Sequence, residues 1–541
     1  MCGIFAFLNC SNSGEVEQNE LTNVAMKSKH RGPDNSVVAA IGKHTFIFHR
    51  LSIMDPSMRG NQPMMHPSDS NIVLMCNGEI YNYKHLCEKY MYKMVSGSDC
   101  EVILHLYKQF GIEDTIKQLD GAFAFILYDG NTNQVYAGRD PFGIRSLYIG
   151  YTAENNVVIS SELKSVAPLC VYTRHFTPGC WWTMEKPYRF SFYERLKFSY
   201  YMTMNASQHN EEEVQKRIVY LLTNAVQKRT MSDREIGCFL SGGLDSSLVA
   251  ALLSKEFSDP KKLHTYAIGM EGGTDLKYAR MVAEHLGTTH HEVIVTKKEM
   301  LDALPDVVRQ IESYDTTTVR ASTPMFLLSK WIKKNTNTTV VFSGEGSDEL
   351  SGSYMYFHKC PSQKSFQSET VRLAQDLYYF DVLRCDKSVS VAGLEARVPF
   401  LDMDFVRYYM QIPLEYKVPR NGIEKYLLRK SFESSKLLPK EVLWRTKEAF
   451  SDGCSSNEDS WYKIIQTFVD ERISDEDYEY QRKCFVHNEP QLKETLYYRK
   501  LFEKNYPGCS HERILPYLWM PKWTETVNDP SARVLSVYKE T

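Results

Sequence analysis

The second residue of the chain is a cysteine, Cys2, and its position could give it a catalytic role. Removal of Met1 would leave Cys2 with a thiol and a free α-amino group on the same residue. Enzymes with such an N-terminal nucleophile use the amine as the base that activates the side chain. An ordinary cysteine near a terminus is the simpler interpretation, so the rest of the sequence must decide between the two.

Four further residues supply what a thiol needs to hydrolyse the side-chain amide of glutamine. The Asn77 amide and the Gly78 N–H could donate to the developing oxyanion, and such donors contribute about 3–4 kcal/mol each. The Arg50 guanidinium matches an α-carboxylate, and Asp99 matches an α-ammonium. The predicted ligand is therefore a free amino acid. Taken singly, each residue could instead belong to a turn or a helix cap.

A glycine-rich string, SGGLDSS at residues 241–247, follows an apolar run and precedes a helical pattern. Two glycines let the backbone wrap an anion, and a helix N-terminus supplies N–H donors. The string lacks the lysine of a Walker loop. It therefore predicts an anion-binding turn between a strand and a helix that is not a Walker loop.

An acidic string, SGEGSDEL at residues 343–350, follows a second apolar run, TTVVF. Open α/β sheets bind ligands at the carboxyl ends of their strands, so we expect these acidic groups at the ligand-binding edge of the sheet. A surface turn rich in glycine and acid is the simpler interpretation of this string when it is taken alone.

The elements that must position these residues fall into two patterns. Up to about residue 193, short apolar runs alternate with turn signals, which predicts two layers of sheet with helices around them. One helix is predicted over residues 101–109. From residue 212 onward, strand and helix patterns alternate, which predicts a parallel, doubly wound sheet. Weak patterning over residues 195–215 predicts the connection between two domains.

Composition excludes several classes of function. The chain has 541 residues, enough for two large domains, and its net charge of −3 gives no basic surface for nucleic acid. Thirteen cysteines without a C-x-x-C pair argue against a zinc ribbon and a disulfide framework. No secretory segment is evident, and no apolar stretch approaches the ~18 residues that span a membrane. We therefore expect a cytoplasmic protein with no nucleic-acid and no membrane partner.

The N-terminal strings MCGI, HRGPD, HRLSI, NGEIYN, SGSD and GRDPFGIR resemble the glutaminase domain of the class II, N-terminal-nucleophile (Ntn) amidotransferases. The resemblance implies an α/β protein whose residues 1–195 form a four-layer α/β/β/α sandwich that releases ammonia from glutamine. The implied site residues are the nucleophile Cys2, the glutamine loop Arg50, Leu51, Ser52, Ile53 and Met54, the oxyanion and substrate strand Asn77, Gly78 and Glu79, and the ammonium-binding Asp99.

The strings SGGLDSS, SGEGSDE, GLEARVPFLD, NGIEKYLLR and LWRTKEAFSDG extend a resemblance to the glutamine-hydrolysing asparagine synthetases over nearly the whole chain. This implies an ATP-pyrophosphatase-type doubly wound sheet over residues 210–520, a C-terminal tail over residues 521–541, and a homodimer. The implied ATP-binding residues are Leu240, Ser241, Gly243, Asp245, Ser246, Ile268, Ser343 and Gly344. Asp245 and Asp348 are implied as Mg²⁺ ligands, Glu345 and Lys447 as catalytic residues, and Asp315 and Arg320 as shaping the aspartate region.

Together the resemblances imply one reaction with glutamine, aspartate and ATP as substrates and Mg²⁺ as cofactor. Aspartate would become β-aspartyl-AMP, and ammonia moved inside the protein would convert it to asparagine, because bulk water at neutral pH would protonate ammonia. One alternative is a β-lactam synthetase, which lacks a working N-terminal cysteine. The other is a non-catalytic glutamine or nucleotide sensor, in which Cys2, Asp245 or Asp348 would be degenerate. All three residues are intact, which disfavours both.

Overall fold

The computed structural model describes residues 1–9, 18–194, 210–456, 458–509, 511–524 and 529–532. The chain forms two compact units. The first comprises Met1–Leu196, Met231–Glu235 and Val389–Glu395, and the second comprises Lys197–Thr230, Ile236–Ser388 and Ala396–Thr541. Residues 195–209 of the predicted connection and residues 525–528 and 533–541 of the predicted tail lie outside the described residues. A search of the described helices finds none with the length and apolarity that crossing a membrane requires.

Two six-stranded antiparallel sheets form the framework of the first unit. Their strands within the described residues are β1 Gly3–Leu8, β2 Asn35–Ile41, β3 His44–Arg50, β4 Met64–His66, β5 Asp69–Ile80, β6 Gly121–Asp129, β7 Gln134–Arg139, β8 Tyr148–Tyr151, β9 Val157–Ser160, β10 Tyr172–His175, β11 Cys180–Thr183 and β12 Phe190–Phe192. One sheet has the order β10-β8-β9-β1-β3-β2 and the other the order β12-β11-β7-β6-β5-β4. The predicted runs GIFAFL, HTFIFH, NIVLMC, AFAFILYD, QVYAGRD, SLYIGY and NVVISS correspond to β1, β3, β5, β6, β7, β8 and β9. Strands β2, β4, β10, β11 and β12 were not predicted.

Helices cover the outer faces of both sheets. They are α1 Gln18–Met26, α2 Tyr83–Tyr90, α3 Val102–Gln118 and α4 Leu163–Val166. Helix α1 packs against β3 and α4 against β8 and β9, whereas α3 packs against β4 and β5 of the other sheet. The predicted α/β/β/α sandwich is therefore confirmed. Helix α3 runs nine residues beyond the predicted end at residue 109, across a non-helical Gly111.

Strand β6 shows why its sequence is apolar at nearly every position. Ala124 and Ile126 belong to the core between the two sheets. Phe123 and Phe125 alternate with them and belong to a second core beneath α2 and α3. Since successive strand residues point to opposite faces, a sheet covered on both sides needs apolar residues throughout.

A five-stranded sheet forms the centre of the second unit, with the order β15-β14-β13-β16-β17. Its strands are β13 Ile236–Phe239, β14 His264–Gly269, β15 Thr289–Ile294, β16 Val340–Phe342 and β17 Glu395–Arg397. The helices described after β12 are α5 Glu211–Gln227, α6 Leu244–Ser254, α7 Thr274–Leu286, α8 Lys297–Ile311, α9 Thr316–Asn335, α10 Ser347–Ser351, α11 Gln363–Asp376, α12 Asp381–Ser390, α13 Met403–Gln411, α14 Leu414–Lys417, α15 Tyr426–Glu433, α16 Lys440–Leu443, α17 Phe450–Gly453, α18 Trp461–Asp470, α19 Asp475–Arg482 and α20 Lys493–Asn505.

The strand order of this sheet reverses next to β13. Strands β14 and β15 extend the sheet on one side of β13, and β16 pairs on its other side, all in parallel. The predicted doubly wound parallel sheet is therefore confirmed. Ligands bind such sheets outside the carboxyl ends of the strands where the order reverses. Residues 241–247 follow β13 and residues 343–350 follow β16, so both predicted strings leave neighbouring strands at this point.

Candidate functional site

Cys2 lies immediately before β1, against the loop that follows β3. The Leu51 N–H lies 3.4 Å from Cys2 Sγ, and the thiol lies 3.5 Å from the Leu51 carbonyl oxygen. Burial raises the pKa of the Cys2 thiol to about 11, so a base must remove its proton at neutral pH. Burial also lowers the pKa of the terminal amine, here on Met1, to about 5. The Met1 amine is therefore uncharged at neutral pH.

Arg31 of the HRGPD string fixes the backbone of Cys2. Its Nε donates to the Cys2 carbonyl oxygen at 2.9 Å, and its Nη1 donates to Glu162 at 2.6 Å. Asp34 of the same string accepts from the Ser52 N–H at 2.8 Å, which ties the string to the predicted glutamine loop. The sequence alone assigned no role to Arg31, because nothing near it in the chain indicates that its guanidinium reaches Cys2.

The Asn77 side chain is completely buried, and neither its amide nitrogen nor its amide oxygen has a hydrogen-bond partner within the part of the chain that the structure describes. An unpaired buried polar group costs about 1–3 kcal/mol, so its retention indicates a ligand that completes it. The adjacent Gly78 lies so close to β6 that a Cβ atom would be 2.2 Å from the Ala122 carbonyl oxygen. Only glycine fits there without moving a strand.

Arg50 ends β3, and its guanidinium lies against the loop that follows. Its Nη1 donates to the Ser57 carbonyl at 2.7 Å and to Asn61 at 2.6 Å, and its Nη2 donates to the Asp55 carbonyl. A guanidinium has five N–H donors, so these three contacts leave two that could meet a carboxylate. The Arg50 charge also acts on the Cys2 thiol.

The two predicted acidic residues of the glutamine site lie on or beside β5. The Asp99 carboxylate accepts from the Ile80 N–H at 2.5 Å, at the carboxyl end of this strand. Glu79, the residue before Ile80, is buried. Burial is the main cause that raises the pKa of Cys2, and the negative charge of Glu79 raises it further. Strands β1 and β5 pack against each other across the inter-sheet core. The fold therefore brings the acidic end of β5 near the nucleophile.

The rest of the glutamine loop is bound to residues 231–235, which belong to the same unit. Arg234 Nε donates to the Ser52 carbonyl at 2.8 Å, and the Asp233 N–H donates to the Ile53 carbonyl at 3.0 Å. Met54 follows and is half-buried. The loop conformation thus depends on a segment that lies about 180 residues away in the sequence, which the sequence did not indicate.

A cavity at the strand-order reversal of the second unit contains every residue predicted for nucleotide, metal and synthetic catalysis. They are Leu240, Ser241, Gly243, Asp245, Ser246, Ile268, Ser343, Gly344, Glu345, Asp348 and Lys447. The two strings touch, since a Cβ atom on Gly344 would lie 2.8 Å from the Ser246 nitrogen. Ser246 Oγ accepts from the Ser241 N–H at 3.2 Å and closes the first string into a turn.

Asp245 and Asp348 meet at a lysine that the sequence did not predict. Lys425 Nζ lies 2.5 Å from Asp245 Oδ2 and 2.5 Å from Asp348 Oδ1, and Lys447 binds the other oxygen of Asp348. Burial alone would raise the pKa of Asp348, but the two ammonium groups hold it below its ordinary value. Burial would lower the pKa of Lys447, and its pairing with Asp348 raises it instead.

The two aspartates fit a magnesium ion that arrives with phosphates. Among the residues that the structure describes, no group of three or more His, Cys, Asp or Glu side chains could hold a metal. Mg²⁺ needs only one or two carboxylates when waters and phosphate oxygens complete its octahedron. Asp245 and Asp348 supply two carboxylates that both bind the positively charged Lys425 ammonium, so they already lie close enough to share one cation.

Two ion pairs hold further charged side chains in the wall of this cavity. Glu345 binds Arg384 at 2.5 Å; burial raises the pKa of Glu345, and the arginine opposes this effect. Arg320 lines the cavity and binds Glu494 at 2.5 Å. Asp315, predicted beside Arg320, accepts from the Thr318 N–H at 2.9 Å and so caps α9.

The pairing of an N-terminal-nucleophile sandwich with an ATP-pyrophosphatase-type sheet defines a two-domain amidotransferase. Residues 1–181 match the sequence model described as glutamine amidotransferase domain, and residues 217–367 and 358–525 match the one described as asparagine synthase. Proteins with the name asparagine synthetase (glutamine-hydrolysing) are 45% identical in Gallus gallus, 44% in Cricetulus griseus and 43% in Homo sapiens, over 100% of this chain and 99% of each relative. The chain belongs to the asparagine synthase family.

Proposed function

We propose that the protein converts L-aspartate, L-glutamine, ATP and water into L-asparagine, L-glutamate, AMP and diphosphate. The observation that carries this proposal is that Asp245 and Asp348 both bind the Lys425 ammonium, beside the turn at residues 241–247. The family relationship and the intact Cys2 support the glutamine-dependent form of the reaction.

In the first half-reaction, the Cys2 thiol attacks the side-chain carbonyl of glutamine while the Cys2 α-amine, exposed by removal of Met1, accepts the thiol proton. The Asn77 amide and the Gly78 N–H bind the oxyanion of the tetrahedral intermediate. The α-ammonium returns this proton to the leaving nitrogen as the intermediate collapses and the C–N bond breaks, which leaves a γ-glutamyl thioester and ammonia. Water then cleaves the thioester to glutamate. The two Arg50 N–H groups not used in the contacts with Ser57, Asn61 and Asp55 bind the α-carboxylate of glutamine. The Asp99 carboxylate binds its α-ammonium.

In the second half-reaction, the β-carboxylate of aspartate attacks the α-phosphorus of ATP and displaces diphosphate, leaving β-aspartyl-AMP. Ser241, Gly243 and Ser246 bind phosphate oxygens, and Lys447 offsets the charge that develops on them. Asp245 and Asp348 would hold Mg²⁺, which supplies further charge neutralisation on the diphosphate.

The nucleoside and the acyl group complete this half-reaction. Leu240, Ile268, Ser343 and Gly344 line the part of the cavity that we assign to adenosine. Glu345, held by Arg384, is assigned to the acyl-adenylate step. Ammonia then attacks the acyl carbon and releases AMP. The ammonia passes to this step without entering bulk water, where it would be protonated.

The family relationship supports a proposal for the finer organisation. We propose a glutaminase domain at residues 1–195, a synthetase domain at residues 210–520 and a tail at residues 521–541, in a cytoplasmic homodimer. Sedimentation velocity tests the dimer, and a sedimentation coefficient of a 62.6 kDa monomer at micromolar concentration contradicts it.

The experiment that tests the proposed reaction is Asp245→Ala, assayed for AMP and diphosphate. We expect both products to disappear with glutamine and with ammonium chloride as nitrogen donor, because activation of aspartate precedes either. Glutamate release from glutamine is the control for an intact first unit. Diphosphate release by the variant at the wild-type rate would contradict the assignment. Wild-type protein that binds glutamine and ATP without forming AMP would favour the sensor alternative.

A further inference from the structure

Lys425 occupies an unusual position for a lysine. Its side chain is almost fully buried, and its ammonium lies between the two carboxylates assigned to the metal, at 2.5 Å from each. Its backbone is left-handed, with φ of +54°, although it is not a glycine. Such a backbone costs of order 1 kcal/mol and persists only where the surrounding structure imposes it.

The surrounding structure holds the backbone of Lys425 on both sides. Arg429 is buried, and its Nε donates to the Glu424 carbonyl at 2.9 Å while its Nη1 donates to the Leu443 carbonyl at 2.6 Å. Its third nitrogen pairs with the Glu424 carboxylate. The Arg429 N–H donates to the Lys425 carbonyl at 3.0 Å, the first helical hydrogen bond of α15. The ammonium is therefore presented to the aspartates by a rigid support.

The charges at this contact balance without a metal. Asp245 and Asp348 carry two negative charges, and Lys425 and Lys447 carry two positive charges. A divalent cation that arrived alone would have to displace the Lys425 ammonium and leave it buried without an anion, which is costly. A divalent cation that enters with a polyphosphate brings phosphate oxygens, and the displaced Lys425 ammonium can bind these instead of the aspartates.

We propose that Lys425 is a positioning residue that acts as an internal cation in the metal site of the nucleotide-free protein. It keeps the two aspartates together and excludes free divalent metal, so that the metal enters with a polyphosphate, to which the ammonium transfers. This inference rests on the proposed ATP-dependent function of the same cavity.

The test is binding of free Mn²⁺, a probe for Mg²⁺, to the full-length protein without nucleotide, measured by electron paramagnetic resonance. We expect no site tighter than the millimolar range in wild type. Lys425→Met should bind Mn²⁺ at least about tenfold more tightly, which corresponds to about 1.4 kcal/mol. Lys425→Arg keeps the charge and should behave as wild type. Lys430→Met is the matched control and should also behave as wild type, because Lys430 is an exposed lysine of α15, the helix that follows Lys425, and pairs with Glu433.

Two results would overturn the inference. In the first, wild type binds free Mn²⁺ tightly and Asp348→Asn abolishes this binding. This result can be obtained without any lysine variant. The other is a Lys425→Met protein with a wild-type melting temperature and wild-type Mn²⁺ affinity. Failure of the proposed function gives a different result, because AMP formation would then be absent in wild type whatever its affinity for Mn²⁺.

Discussion

The buried Asn77 amide leads to a prediction in which stability and catalysis change in opposite directions. Asn77→Leu keeps the approximate shape of the side chain and removes two polar atoms that have no partner among the described residues. Because Asn77 is 0% exposed, its unpaired amide bears its desolvation cost in full. We expect the free energy of unfolding of the glutaminase unit to rise by roughly 1–2 kcal/mol, within the range that an unpaired buried group costs.

The same substitution removes a donor to the oxyanion. Loss of one such donor lowers kcat by about 10²–10³-fold, which is about 2.7–4 kcal/mol of transition-state stabilisation. The KM for glutamine should change much less, because the donor acts mainly on charge that develops after binding. Synthesis of asparagine from ammonium chloride should stay at the wild-type rate, since it bypasses the Cys2 site.

Three measurements on one preparation test this reasoning: glutamate release at saturating glutamine, urea unfolding, and asparagine formation from ammonium chloride. Asn71→Leu, at an exposed asparagine of the same strand β5, is the matched control. It should leave both activities unchanged and should not raise the free energy of unfolding, because it removes the hydrogen bond that Asn71 donates to Asn131 at 2.8 Å. A destabilised Asn77→Leu protein with wild-type kcat for glutamine would refute the reasoning, because the amide would then be a structural group.

Three further predictions concern both units. Gly78→Ala should lower the melting temperature, because its Cβ would lie 2.2 Å from the Ala122 carbonyl; differential scanning calorimetry measures this. Burial lowers the pKa of Lys417 to about 7, so the unfolded chain binds more protons above that pH, and stability should rise from pH 7 to 9. Urea unfolding should show a smaller rise for Lys417→Met. Lys447→Met should reduce AMP formation by about 10²-fold with either nitrogen donor, with glutamate release as the control.

The sequence predicted the longer apolar strands and the chemistry-bearing strings because both are local patterns, but it missed short strands such as β4 and β17. The run AFAFILYD of β6 is apolar throughout, which indicates a buried strand, but periodicity does not show which residues face which core. The structure resolves this by placing Ala124 between the sheets and Phe125 beneath the helices. The positions of residues 241–247 and 343–350 followed from the general rule that ligands bind at the carboxyl ends of parallel strands.

The residues that hold the site residues in place could not be predicted, because they are far in sequence from the residues that they contact. Lys425 lies 180 residues from Asp245 and 77 from Asp348, and its string NGIEKYLLR shows only a turn and a helix. Arg31 is separated from Cys2 by 29 residues. Residues 231–235 join the first unit with no change in composition that would mark them. Tertiary packing alone brings these groups to the sites.

The central claim is that two separate chemistries act in sequence, with ammonia made at Cys2 and used at the ATP site. Cys2→Ala tests it most directly, with asparagine measured under glutamine and under ammonium chloride. The account predicts that glutamine-dependent synthesis is abolished while ammonia-dependent synthesis continues at the wild-type rate. Equal loss of both activities, or retention of both, would contradict it.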